Sequence, residues 1–223
     1  MGFDLLSADG SEQIGTWSVR GNETSQALAA SFEQEYRDGQ VLVVRHAEAR
    51  TRLELWTDDV LQLADARTEQ RFRIVDGRFI PLGSTPVVAT PGDPVTLHRG
   101  ADTPVEARLM LQDRVTTMSG EAVFTAPSGT VFAAGQEVLA AEIRIPGGQW
   151  ERSRSLDMEV QASGSSNASL TGRFRSDALD LPGGTLIRWP PSVHVPDGAA
   201  AGTSGLEYRV TGTANGAAVS VTT

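Results

Sequence analysis

Between Glu137 and Arg175, apolar and polar residues alternate with a period of two through three successive runs. In the first, Leu139, Ala141, Ile143 and Ile145 oppose Ala140, Glu142 and Arg144. In the second, Leu156, Met158 and Val160 oppose Ser153, Ser155, Asp157, Glu159 and Gln161; in the third, Ala168, Leu170 and Phe174 oppose Ser169, Thr171, Arg173 and Arg175. One apolar face repeated every second residue is the signature of half-buried antiparallel strands.

The turns fit a meander. A two-residue loop at Gly147-Gly148 would set Ile145 opposite Trp150, Ile143 opposite Arg152, Leu139 opposite Leu156 and Arg144 opposite Glu151. The loop from Ser163 to Asn167 would set Val160 opposite Leu170 and Leu156 opposite Phe174. Two more hairpins are expected. Asp76-Gly77 pairs Ile74 with Phe79, and Asn215-Gly216 pairs Val210 with Val221 and Gly212 with Val219.

Elsewhere the chain reads in two parts. Residues 1–90 give an apolar arm at Phe3, Leu5 and Leu6, a helix over about 23–38 with Leu28, Phe32 and Tyr36 on one face, and a small sheet. A run rich in proline, from Pro81 to Pro94, reads as the junction. Residues 91–223 carry short strands at sandwich-like spacing, Val95 to Arg99 and Val105 to Leu111 among them. The expected fold is mainly β: an antiparallel β-sandwich or jelly-roll-like C-terminal domain, with a smaller N-terminal part carrying one helix on a sheet.

Composition removes several functions. All 19 basic residues are Arg against 28 acids, and neither part of the chain is basic, so the cationic surface needed for nucleic acid or anionic membrane is missing. There is no Cys, hence no disulfide framework and no thiolate metal site. No apolar run approaches the ~20 residues of a membrane helix. The start, Met-Gly-Phe-Asp, lacks a signal peptide's basic segment, so the expected place of synthesis and folding is the cytoplasm.

Reactive constellations are scarce. His46, His98 and His194 have no partner at metal-ligand spacing, and no nucleophile elbow, phosphate loop or dinucleotide fingerprint occurs. Asp157 and Glu159 share a strand face about 7 Å apart, within the range of a glycosidase pair, yet sit among Ser and Gln as a solvated face does. Asp58-Asp59 and Asp9 to Glu12 lack the spacing of a Ca²⁺ loop. The sequons at Asn22 and Asn167 read as chance matches. Of four tryptophans (Trp17, Trp56, Trp150 and Trp189), Trp150 beside a tight turn and Trp189 before Pro190-Pro191 are the candidates for ligand or partner contact.

The sequence therefore favours binding or structure over catalysis, with no cofactor and no metal. Its leading expectation is a structural component of a large assembly of bacteriophage-virion type: capsid decoration, head spike or tail component. Other copies of the chain or other proteins of the assembly would be its partners, contacted through Phe3, Leu5 and Leu6. The second expectation is a carbohydrate- or receptor-binding β-sandwich, with a glycan as possible partner, and the third is a glycosidase.

Overall fold

The computed structural model describes residues 2–8, 10–18, 37–45, 52–54, 60–62, 69–83, 85–90, 92–163, 167–199 and 205–223. Compactness divides the chain into an N-terminal unit, residues 1–84 with 146–148, and a C-terminal unit, residues 85–145 with 149–223.

In the N-terminal unit, β1 (Gly2–Leu6), β2 (Gln13–Ser18), β3 (Val41–Arg45), β6 (Glu69–Val75) and β7 (Arg78–Pro81) form one antiparallel sheet in the order β2-β1-β3-β6-β7. Two short strands, β4 (Arg52–Glu54) and β5 (Val60–Gln62), pair separately. The expected arm is in fact β1, an interior strand between β2 and β3, with Phe3 and Leu5 at 0% exposure. Burying two such side chains within its own sheet stabilises by ~1.5–3 kcal/mol each, so the segment needs no neighbouring molecule to lie against. The Asp76-Gly77 turn forms as expected, with Ile74 opposite Phe79. Both turn residues have positive φ, 51° and 72°, as a two-residue hairpin turn requires. The buried Arg73 donates from Nη1 to the carbonyl oxygens of Ala8 at 2.7 Å and Gly39 at 2.9 Å. The expected helix at 23–38 falls almost wholly outside the described residues.

The C-terminal unit is built on two larger antiparallel sheets. The first has six strands: β11 (Met118–Thr125), β13 (Val138–Leu139), β16 (Met158–Ser163), β17 (Ser169–Ser176), β20 (Glu207–Ala214) and β21 (Ala217–Thr222), ordered β13-β16-β17-β11-β20-β21. The second has five: β8 (Val87–Thr90), β10 (Ala107–Leu111), β14 (Glu142–Arg144), β15 (Glu151–Arg152) and β18 (Leu186–Trp189), ordered β15-β14-β18-β10-β8. A third, small sheet joins β9 (Asp102–Pro104), β12 (Val131–Phe132) and β19 (Ser192–His194). Inward residues of both large sheets share one core. Leu109, Ile187 and Trp189 come from one side; Phe124, Met158, Phe174 and Val210 come from the other. The result is an antiparallel β-sandwich. Val95 to Arg99 is not a strand; the chain there runs without a ladder partner into a turn.

The alternation holds better than the register. Leu139, Leu156, Met158, Val160 and Phe174 all enter the core, with Ile143 packed at its edge. Yet the expected first strand is split between the sheets: Leu139 pairs with Met158, while Ile143 pairs with Glu151 and Ile187. Asp157 holds the corner, its Oδ1 accepting from the Ala141 N–H at 3.0 Å and its Oδ2 from Arg152 Nη2 at 2.6 Å. Arg154–Leu156 form a 3-10 turn, which interrupts the expected second strand. The loop from Ile143 to Glu151 is wider than two residues, so Arg144 does not face Glu151. Between β16 and β17, Val160 faces Gly172 instead of Leu170; a shift of two keeps every side chain on its face. The last hairpin forms as read, with Val210 opposite Val221 and Gly212 opposite Val219.

Candidate functional site

Trp189 and Trp150 have different fates. The short apolar run Leu186-Ile187-Arg188-Trp189 forms β18, the middle strand of the five-stranded sheet, and alternation sends Trp189 inward. It is fully buried, its ring 5.2 Å from that of Phe174, and its indole N–H donates to the Leu156 carbonyl oxygen at 2.9 Å. Pro190-Pro191 ends the strand without exposing the ring, so Trp189 is no ligand contact.

Trp150 is half-buried in the wide loop, beneath a set of guanidinium groups. The Arg188 Cζ lies 4.1 Å from its ring centroid, that of Arg144 5.2 Å and that of Arg108 5.4 Å. A cation over an indole face is attracted by the ring quadrupole. Three like charges also need counter-ions. Glu106 bridges Arg108 and Arg188, Glu142 accepts from Arg188 Nε at 2.6 Å, and Asp93 accepts from Arg108 Nη2 at 3.1 Å. Arg108 and Arg188 are direct cross-strand partners, as are Arg188 and Glu142, so the sheet itself sets this row. Burial alone would lower the pKa of Arg108; the hydrogen bonds and charges of Glu106 and Asp93 outweigh it and raise the value. Arg108 and Arg188 share three carboxylates, and the Arg188 guanidinium lies over the Trp150 ring. Chemically this is an ion-pair network that links neighbouring strands beside an indole already contacted by guanidinium groups.

Sequence reading did not single out Arg108, Arg188 and Glu106. The available signal was a lone Arg inside an apolar strand, Ala107-Arg108-Leu109-Met110-Leu111 and Leu186-Ile187-Arg188-Trp189. A strand arginine flanked by core residues needs a counter-ion close by.

The remaining candidates are dispersed. Asp157 is tied to Ala141 and Arg152, and Glu159 lies on the exposed face opposite Arg173, so the two do not form a carboxylate pair in a cleft. His194 Nδ1 lies 2.7 Å from Asp102 Oδ1 on the neighbouring strand, and His98 is exposed in a loop. Among the described residues no group of three or more His, Asp or Glu could hold a metal ion. Leu6 is half-buried at the end of β1. Of Trp17 only the backbone pairing with Phe3 is described, and His46, Trp56, Asp58, Asp59, Asp9 and Asn22 lie outside the described residues.

The outer face of the six-stranded sheet is open along two rows of described residues. One row crosses five strands as Gln161, Thr171, Val123, Arg209 and Thr222. The next row runs Val138, Glu159, Arg173, Glu121, Thr211 and Ser220, with Arg173 Nε 2.9 Å from Glu121 Oε2. Val123, near the middle, is 37% exposed, and Val138, at one edge, is 53% exposed. None of the outward residues in these rows is aromatic.

The fold thus defines an antiparallel β-sandwich without a catalytic constellation among its described residues. No family model matches the chain, and no curated protein does. Among solved structures it is similar to the collagen-binding subdomain of the Enterococcus faecalis surface protein ACE. The identity is 13% and the TM-score 0.39, over 61% of this chain and 90% of that one. It is also similar to the collagen-binding domain of the Erysipelothrix rhusiopathiae surface protein RspB, with 11% identity and a TM-score of 0.38 over 83% of this chain and 63% of that one. A third is AvmM, described as catalysing macrocyclization in alchivemycin A biosynthesis, with 10% identity and a TM-score of 0.30 over 62% and 78%. The β-sandwich architecture follows from the strand pairing itself.

Proposed function

We propose that this chain is a non-enzymatic binding module whose rigid β-sandwich presents the outer face of its six-stranded sheet to a polypeptide partner. The observation that carries the reading is the composition of that face. Short hydrogen-bonding side chains, self-paired charges and the exposed valines Val123 and Val138 lie across six strands backed by one core. Such a surface suits a partner that supplies amide groups and small apolar side chains. A glycan would want an open aromatic platform, and of the two candidates Trp189 is buried and Trp150 is half-buried with the Arg188 guanidinium 4.1 Å from its ring centroid. A role as a virion component loses its motivation once the N-terminal segment is an interior strand of its own sheet.

The test sets two screens side by side with the purified chain: a panel of immobilised extracellular proteins, type I collagen included, and a glycan array. Saturable binding to a protein, with no glycan above background, is expected. Saturable binding to a glycan, lost in Trp150→Ala, would replace this reading with a sugar-binding one. Turnover of any glycan would remove the non-enzymatic claim.

A further inference from the structure

Strand β21 is the outermost strand of the six-stranded sheet, and nothing in its sequence guards it. Ala217-Ala218-Val219-Ser220-Val221-Thr222 contains no charge, no proline and no glycine. Exposed sheet edges are normally blunted by such residues, by brevity or by a bulge, because an open ladder invites another strand. The other outer strands described in this unit obey that rule. β12, β13 and β15 have two residues each, and both residues of β15 are charged. β8 stands between Pro86 and Pro91, and β9 ends in Pro104. Among them, only β21 combines six residues with an uninterrupted neutral edge.

Its hydrogen-bonding parity is fixed by the Asn215-Gly216 turn. Ala217 faces Ala214, Val219 faces Gly212 and Val221 faces Val210, and Thr223 N–H donates to the Tyr208 carbonyl oxygen at 3.1 Å. In an antiparallel ladder these are the bonded pairs, so the N–H and C=O groups of Ala218, Ser220 and Thr222 point away from β20. β8 runs near β21 but pairs only with β10. The outward side chains of those same three residues are exposed.

We infer that β21 is a self-association edge, at which a second copy of this chain adds its own β21 antiparallel about a twofold axis at Ser220. The occupant follows from self-complementarity. That register sets Ser220 against Ser220 of the second copy and Ala218 against Thr222 in both directions, satisfying about six backbone hydrogen bonds. The outward row beside it continues through Thr211 and Thr213. No like charges therefore meet at the join, although each copy carries a net charge of −9. An isologous contact of this kind closes at a dimer and does not propagate. This inference is independent of what the open sheet face binds.

The experiment is sedimentation equilibrium of the full chain at ~0.15 M salt, where charges more than ~8 Å apart are screened. Wild type is expected to show twice the 23.7 kDa protomer mass at high concentration. Ser220→Lys and Ser220→Glu each place two like charges directly opposite at the twofold, which destabilises the pair. Each alone should be monomeric, with association weakened at least ~tenfold, while an equimolar mixture regains the dimer. Ser220→Pro removes an N–H that β20 does not use, and should also be monomeric with the wild-type melting curve. A monomeric wild type, dimers unchanged in all three variants, or a Lys and Glu mixture that stays monomeric would each overturn the inference.

Discussion

The indole N–H of Trp189 donates to the carbonyl oxygen of Leu156 at 2.9 Å, joining the central strand of one sheet to the turn that leads into a strand of the other. Both residues are fully buried, so no water can replace either partner. Trp189→Phe keeps most of the apolar volume but orphans the carbonyl, and should cost ~1–3 kcal/mol. Trp189→Ala also opens a cavity against Phe174 and should cost ~3–5 kcal/mol. Urea unfolding midpoints of the two variants rank them; a Trp189→Phe variant as stable as wild type would mean the hydrogen bond contributes nothing beyond packing.

Tyr208 provides the second tie between the sheets. Its hydroxyl donates to the Arg108 carbonyl oxygen at 2.5 Å and accepts from the Arg108 N–H at 3.2 Å. Burial pushes its pKa up to about 12, against smaller lowering contributions from the Arg108 backbone and charge. A raised folded-state pKa favours the protonated form. The stability it confers is complete below the ordinary value of 10.0 and is lost as pH climbs toward about 12. The stability difference between wild type and Tyr208→Phe should therefore be flat at neutral pH and shrink steadily across that window. A difference independent of pH through the same window would contradict this assignment.

Two glycines allow close packing in the six-stranded sheet, and they should not be equally replaceable. A Cβ at Gly212 would run into the backbone of Ser119 and Gly120, which the ladder holds in place. A Cβ at Gly172 would meet Met158 Sδ and Val160 Cγ1, and a thioether side chain can move aside. Gly212→Ala should cost ~2–3 kcal/mol or more and Gly172→Ala ~1 kcal/mol less than that. Thermal melting of the pair checks the order, and the reverse order would show that the β11–β20 backbone yields more easily than the core.

Because the C-terminal unit owns a complete hydrophobic core, residues 85–223 expressed alone should unfold in one cooperative transition. A fragment that lacks a cooperative melt would show that the two units share their stability.

Much of this was legible in the residues because side-chain alternation and turn chemistry are local. Asp76-Gly77 and Asn215-Gly216 gave correct registers, since a two-residue loop leaves one pairing. The wide loop before Trp150 did not, because Trp150 turns onto Arg188 instead of facing Ile145, and that contact joins residues distant in sequence. The split of the first strand depended on Asp157, whose position among polar neighbours suggested a solvated side chain and gave no hint that it would cap Ala141. Asn215 was readable as a turn residue. Its Oδ1 accepting from the Thr116 N–H at 2.8 Å, and its Nδ2 donating to the Arg114 carbonyl oxygen at 2.7 Å, could only come from the fold. The misplaced arm shows the same limit: Phe3 and Leu5 announce burial, but not whether the cover comes from their own chain.

The central claim is that the open six-stranded face binds a polypeptide. Its most direct measurement is surface plasmon resonance of wild type and the double variant Val123→Glu/Val138→Arg against the same protein panel. Both positions are exposed, and each new charge faces an opposite one across the ladder, Arg209 or Glu159, so the variant should melt like wild type. Saturable binding by wild type that weakens at least ~tenfold in this variant, a change of about 1.4 kcal/mol, is the predicted result. Undiminished binding by the folded variant would contradict the account.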